Sequence, residues 1–215
     1  SLQNSAGNQD EYCQAASEAY GEELSGIQGG CEQAAMEIIQ NLDPTTFLNH
    51  LESFGLFTAP SFSLRTIAPT VRPDPAVIET KPKTALEIQA TPLQMALVAA
   101  SITNDGLLPS PRLLNTYLAE DGTWTPFREG VLPVRVISSE AITRLRANLA
   151  GSDQAFWFQS GHAQTNDGKI LTWYIGGTTE KWVAAPLAIA VAIESNAPDL
   201  AQTIGSSLLS LFATD

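Results

Sequence analysis

The chain is short of lysine, histidine and cysteine, and it has no long apolar run. Among its 215 residues are four lysines, two histidines and two cysteines. Eleven Lys and Arg stand against 23 Asp and Glu, for a net charge of −12. Binding to nucleic acid or to an anionic membrane surface needs a basic face, so this balance argues against both. A cationic partner stays open. No stretch reaches the roughly 18 apolar residues of a membrane span. The longest candidate, residues 182–193, is interrupted by Pro186. No signal peptide is visible at Ser1. The expectation is that an export signal or anchor lies upstream, and that the membrane is reached only through it.

The cysteines, Cys13 and Cys31, have no Cys-x-x-Cys partner and no His-rich neighbourhood, and the acidic residues are scattered. No metal site and no cofactor is expected. Gly29-Gly30 and Gly176-Gly177 are not phosphate cradles, because neither sits in a strand–Gly-loop–helix with a following Lys. The two thiols read in two ways. They are free and partly buried, or they form a disulfide closing about 18 residues, worth on the order of 3 kcal/mol by chain entropy. Export would favour the second.

Residues 1–28 form a polar N-terminal arm, and residues 1–12, rich in Asn, Gln, Ser and Gly, read as flexible. Residues 29–215 read as one domain. A helix is expected after Gly29-Gly30, with Ala34, Ala35, Ile38, Ile39 and Leu42 as its apolar stripe. Asp43-Pro44 starts a second, with Phe47, Leu48, Leu51 and Phe54 on one side and Gly55 at its end. Residues 57–85 carry five prolines and read as an irregular excursion. Thr91-Pro92 starts a helix whose packing face is Leu93, Ala96, Leu97, Ala100 and Ser101, and Asn104-Asp105-Gly106 ends it. Asp121-Gly122 signals a hairpin. Ser138 or Ser139 caps a helix with Ile142, Leu145 and Leu149 inward. Residues 155–164, 169–177 and 187–194 read as strands, with Trp157, Trp173 and Trp182 on them as sheet packing. Pro198 opens a last helix with Leu200, Ile204, Leu208 and Leu211 as its apolar stripe. Helices, then an antiparallel meander, then a helix is an α+β pattern.

Certain strings are more specific. Thr91-Pro92-Leu93-Gln94-Met95-Ala96, followed by Asn104-Asp105-Gly106 and Pro109 or Pro111, resembles a signature helix and turn of the penicillin-binding protein transpeptidases. Gln159-Ser160-Gly161-His162-Ala163-Gln164 is similar to that family's Lys-Thr/Ser-Gly-Thr-Ala-Gln strand, and Trp173-Tyr174-Ile175-Gly176-Gly177 to the strand after it. Gly30-Cys31-Glu32 resembles the Ser-x-Asn position, with Phe54-Gly55 as the turn beyond. The resemblance covers about residues 29–213. It implies a β-lactamase/transpeptidase-like fold, an antiparallel sheet flanked by helices, lacking the N-terminal part of the domain.

The same resemblance exposes missing chemistry. The family's reaction implies a Ser-x-x-Lys nucleophile, a Ser-x-Asn relay and a cationic strand residue for the substrate carboxylate. No lysine here (Lys81, Lys83, Lys169, Lys181) has Ser three positions before it, and no Ser-x-Asn occurs. The strand's cation is Gln159 and the hydroxyl after Gly161 is His162. Glu32 would oppose a substrate carboxylate. Two explanations stand: the chain begins downstream of an intact nucleophile, or it is a pseudoenzyme. The first does not account for Glu32 and Gln159.

The resulting expectation assigns no catalytic residue. Gly30, Cys31, Glu32, Gln159, Ser160, Gly161 and His162 are degenerate motif positions lining a remnant groove. The expected role is scaffolding, regulation or peptidoglycan binding at a bacterial cell wall, outside the cytoplasm. Expected partners are a peptidoglycan peptide or a cell-wall or division protein, and no nucleic acid. The alternatives are the C-terminal part of an active serine D,D-transpeptidase, and a thiol enzyme built on Cys31 with His162 and Glu32. His50, beside Asn49 on a helix, reads as a surface residue.

Overall fold

A computed structural model describes residues 41–61, 66, 72–76, 88–127, 132–150, 155–165 and 167–211. The arm at 1–28, the helix expected at 34–42 up to residue 40, most of the 57–85 excursion, and Cys13, Gly30, Cys31 and Glu32 lie outside these residues.

Helix α1 spans Pro44–Ser53. Asp43 Oδ2 accepts from the Thr46 amide at 2.8 Å, which satisfies one of the helix's orphan donors. Gly55 closes the turn that follows at φ +76°, where a side chain is disfavoured. Leu48 is fully buried. Arg72, within the proline-rich excursion, returns to this helix, pairing with Glu52 at 2.8 Å and donating to Asn49 Oδ1 at 2.7 Å.

Helix α2 spans Pro92–Thr103 and opens on a complete capping box. Gln94 N donates to Thr91 Oγ1 at 3.2 Å, and Thr91 N donates to Gln94 Oε1 at 3.0 Å. Gln94 then reaches across with Nε2 to the carbonyls of Gly55, Leu56 and Thr58, at 3.0, 3.2 and 3.3 Å. This corrects the expected packing face. The buried residues of α2 are Gln94, Ala99, Ser101 and Ile102, while Leu93, Ala96, Leu97 and Ala100 are half-buried. A polar residue takes a core position because the two hydrogens of its amide are shared among three backbone acceptors.

Short strand β1 (Leu107–Leu108) follows, then the β2 (Thr116–Leu118) and β3 (Trp124–Pro126) hairpin. Asp121-Gly122 lies at its turn as expected, with Gly122 at φ +81°. Strand β4 (Val134–Arg135), two residues long, returns to pair with β1. Helix α3 spans Ser139–Ala150. Ser138 caps it by accepting from the Ala141 amide at 3.2 Å.

The main sheet runs β5 (Phe156–Gln164), β6 (Ile170–Thr178) and β7 (Ala188–Ile193) in antiparallel order. Trp182 is not on a strand. It lies in the β6–β7 connection, where its indole donates to Ala185 O at 2.9 Å and its ring sits 5.3 Å from that of Phe156. Pro186, which has no amide to give a ladder, follows in the same connection.

Helix α4 spans Pro198–Leu211. The apolar stripe read from the sequence, Leu200, Ile204, Leu208 and Leu211, is exposed. Ala201, Gly205 and Leu209 are buried instead. Small residues win this face because the helix lies close against the sheet. A Cβ at Gly205 would fall 2.2 Å from Tyr174 Cε1.

The result is three layers, helix–sheet–helix. One sheet face carries Trp157, with Ile175 and Ala188, against Ala99 and Ile102 of α2 and Ile142 of α3. The other carries Tyr174 and Phe158, stacked at 5.4 Å, beneath α4. Each large apolar side chain buried this way contributes roughly 1.5–3 kcal/mol.

Candidate functional site

Strand β5 carries the four motif positions that lie among the described residues. Trp157 fixes it in place: the ring is fully buried and its Nε1 donates to Thr103 Oγ1 of α2 at 3.1 Å. Gly177, opposite Trp157, leaves the space, since a Cβ there would meet Thr103 Oγ1 at 2.0 Å. The motif begins two residues further on, so its backbone is set by the core.

Alternation along the strand sorts the side chains. Gln159 shares the Trp157 face and lies opposite Ile175. Ser160 and His162 share the other face, opposite Tyr174 and Thr172. His162 is exposed, while Gln159, Ser160 and Gly161 are half-buried. The Gln159 amide does not project into open space: Nε2 donates to Ser160 O at 2.9 Å. Ser160 Oγ is buried and has no hydrogen-bond partner among the described residues. Opposite His162, Thr172 bonds into the turn before α4, donating to Ser195 O at 2.7 Å and accepting from Ala197 N at 3.0 Å. That locks the β7–α4 turn to the middle strand.

Gly30, Cys31 and Glu32, the positions expected across the groove, lie outside the described residues, as does Cys13. The proposed meeting of Cys31 with His162 therefore has no described geometry. His50 is exposed on α1, far in sequence from β5. Among the described residues no cluster of three His, Cys, Asp or Glu side chains could hold a metal, and no helix is long and apolar enough to cross a membrane.

Two features near the strand were not legible in the sequence. One is Tyr174, whose hydroxyl is pushed up to about 12 by burial under α4. The other is Arg146 of α3, largely buried, which donates to Thr103 O at 3.4 Å and faces Asp105 at 3.5 Å and Glu180 at 3.8 Å. It ties the end of α2 to the loop after β6. Both roles come from packing between distant segments, for which a local pattern gives no signal.

The family model for the penicillin binding protein transpeptidase domain matches residues 15–184. The chain belongs to this family. Solved structures agree on the fold. Penicillin binding protein 3 from Mycobacterium tuberculosis, complexed with aztreonam, is similar at 20% identity and a TM-score of 0.65, over 84% of this chain and 49% of that one. The D,D-transpeptidase domain of a peptidoglycan glycosyltransferase from Eggerthella lenta is similar at 16% identity and a TM-score of 0.67, over 86% and 52%. A peptidoglycan glycosyltransferase from Burkholderia ambifaria gives 16% and 0.60, over 86% and 62%. The chain thus spans about half the length of the first solved transpeptidases it matches. A search of curated proteins finds no match. As in the sequence reading, the transpeptidase fold is α+β with an antiparallel sheet and helices on both faces.

Proposed function

We propose that this transpeptidase-family domain is non-catalytic and serves as a scaffold or regulator at the bacterial cell wall, outside the cytoplasm. The observation that carries this reading is Gln159. It stands where the family's strand carries its cation, and its amide is turned back onto Ser160 O. A neutral amide engaged with its own strand supplies no charge to hold a carboxylate. The sequence adds that no Ser-x-x-Lys and no Ser-x-Asn occurs within the chain.

A fluorescent β-lactam tests this, applied to the protein together with its native sequence upstream of Ser1. No covalent labelling of the folded protein is the expected result. Saturable labelling of the unmodified protein would mean a serine upstream works despite Gln159, and the non-catalytic reading would be wrong. A Gln159→Lys/His162→Thr variant gives a second arm. Labelling gained only by that variant would locate the defect in β5 and support the reading.

A further inference from the structure

Thr178 N donates to Leu187 O at 3.0 Å, in the register of the β6–β7 ladder. Hydrogen-bonded and outward-facing residues alternate along an antiparallel strand. Leu187, Ile189, Val191 and Ile193 therefore address β6, while Ala188, Ala190 and Ala192 turn their N–H and C=O groups away from it. Among the described residues β7 has no second neighbour, and these three alanines make no hydrogen bond on that side.

Helix α4 hangs over this edge. Its buried line is Ala201, Gly205 and Leu209. At about 100° per residue, Ser206 and Ser210, which directly follow two of these, fall on one flank. Leu200, Ile204 and Leu208, which directly precede all three, fall on the other. The serine flank borders the same cavity as Phe156 and Phe158 of β5. Since β5 and β7 lie on opposite sides of β6, the apolar flank lies on the β7 side. It is open there, with Leu200 52%, Ile204 36% and Leu208 39% exposed. On the opposite face of the sheet, a cavity of about 360 Å³ opens between α2 and the start of β7, lined by Ala96, Leu97, Ala100, Pro186, Leu187 and Ala188. Backbone, helix flank and groove are thus all left open along one side of the three layers. A strand laid there would be covered on both faces, and such strands are apolar on both.

We propose that this side is the docking surface for one further β-strand of the same polypeptide, apolar on both faces and supplied from upstream of Ser1. Three observations favour that source. Outside the described residues this chain has no run of more than three apolar residues, so no segment of it fits. A second copy could offer only its own β7, and a charge of −12 on each chain opposes that pairing. The first solved transpeptidases it matches are about twice as long, and the sequence resemblance puts the lacking part of the domain on the N-terminal side. The added strand would pair with Ala188, Ala190 and Ala192 and cover Leu200, Ile204 and Leu208. Failure of the non-catalytic reading leaves this untouched, since neither Gln159 nor a nucleophile enters it.

The test compares the 215-residue chain with the protein carrying its native sequence upstream of Ser1, by amide hydrogen exchange. In the longer protein, as a monomer, the Ala188, Ala190 and Ala192 amides are expected to exchange at least about tenfold more slowly than in the shorter one. Ala190→Pro removes an outward N–H and no β6 rung, so the shorter chain is expected to keep its urea midpoint. The longer protein is expected to lose the protection at Ala188 and Ala192. Ile204→Glu, a surface change in the shorter chain, is expected to do the same from the helix side, which keeps the test decisive if proline distorts the strand. Equal exchange in the two proteins overturns the proposal. So does protection in the shorter chain that grows with its concentration, which would assign the edge to a second copy. Protection in the longer protein that Ile204→Glu leaves intact also overturns it.

Discussion

Gly205 of α4 passes so close over the Tyr174 ring that a methyl group would overlap it, with the nearest ring atoms 2.2, 2.3 and 2.6 Å from a Cβ at that position. The contact sets the spacing between helix and sheet. It also explains why the leucine-rich side of α4 is turned outward: no residue larger than glycine fits at the crossing.

Gly205→Ala therefore forces the helix off the sheet. A destabilisation of about 1–3 kcal/mol is expected from overpacking, even though alanine is the better helix former. Urea unfolding of the variant checks it, and unchanged or raised stability would mean the helix can slide.

The same geometry makes Tyr174 sensitive to alkali. Its hydroxyl titrates near 12 when folded, against an ordinary value of 10. A folded value above the unfolded one means the contribution to stability is complete below pH 10 and is lost as pH rises toward 12. The loss is on the order of 2–3 kcal/mol at the upper end. Unfolding monitored across that range, in wild type and Tyr174→Phe, checks the sign. The phenylalanine variant should lose this part of the alkaline decline.

Replacing the outward residues of α4 should cost little. Leu200→Ser and Leu208→Ser are expected to change stability by no more than about 0.5 kcal/mol, as surface substitutions do. A loss of several times that amount would show that the stripe is covered in solution.

Gln94 is the most consequential polar residue of the core. Gln94→Leu removes the donor to three carbonyls and the acceptor of the capping box. A loss of about 1–3 kcal/mol is expected, because the buried Leu56 carbonyl loses its donor and the capping box is broken. Gln94→Glu should be worse at neutral pH than at pH 4, since the carboxylate faces three carbonyl oxygens. Thermal melts at the two pH values check this.

The sequence made the helix starts legible because capping is local. Asp43-Pro44, Thr91-Pro92 and Ser138 each act within one turn of chain. The three long strands were legible from their aromatic and β-branched content. The packed faces of α2 and α4 were not. Periodicity ranks residues by hydrophobicity, whereas Gln94 is buried by its hydrogen bonds and Gly205 by its lack of a side chain. Strand β4 was too short to show a pattern, and its pairing depends on Leu107 and Leu108 nearly thirty residues earlier. At the site, the identities of residues 159–162 and their place on a strand were legible. The turn of the Gln159 amide onto Ser160 O could not, because it depends on the rotamer of one side chain at a sheet edge.

Trp157 gives the motif strand a second reason to exist. Its indole is held by Thr103, and its ring fills the space between sheet and helices, two residues before Gln159. Residues 159 to 162 hang on a strand whose position is fixed by something else. Side chains at 159, 160 and 162 can thus be exchanged one at a time while the strand keeps its place between the helices.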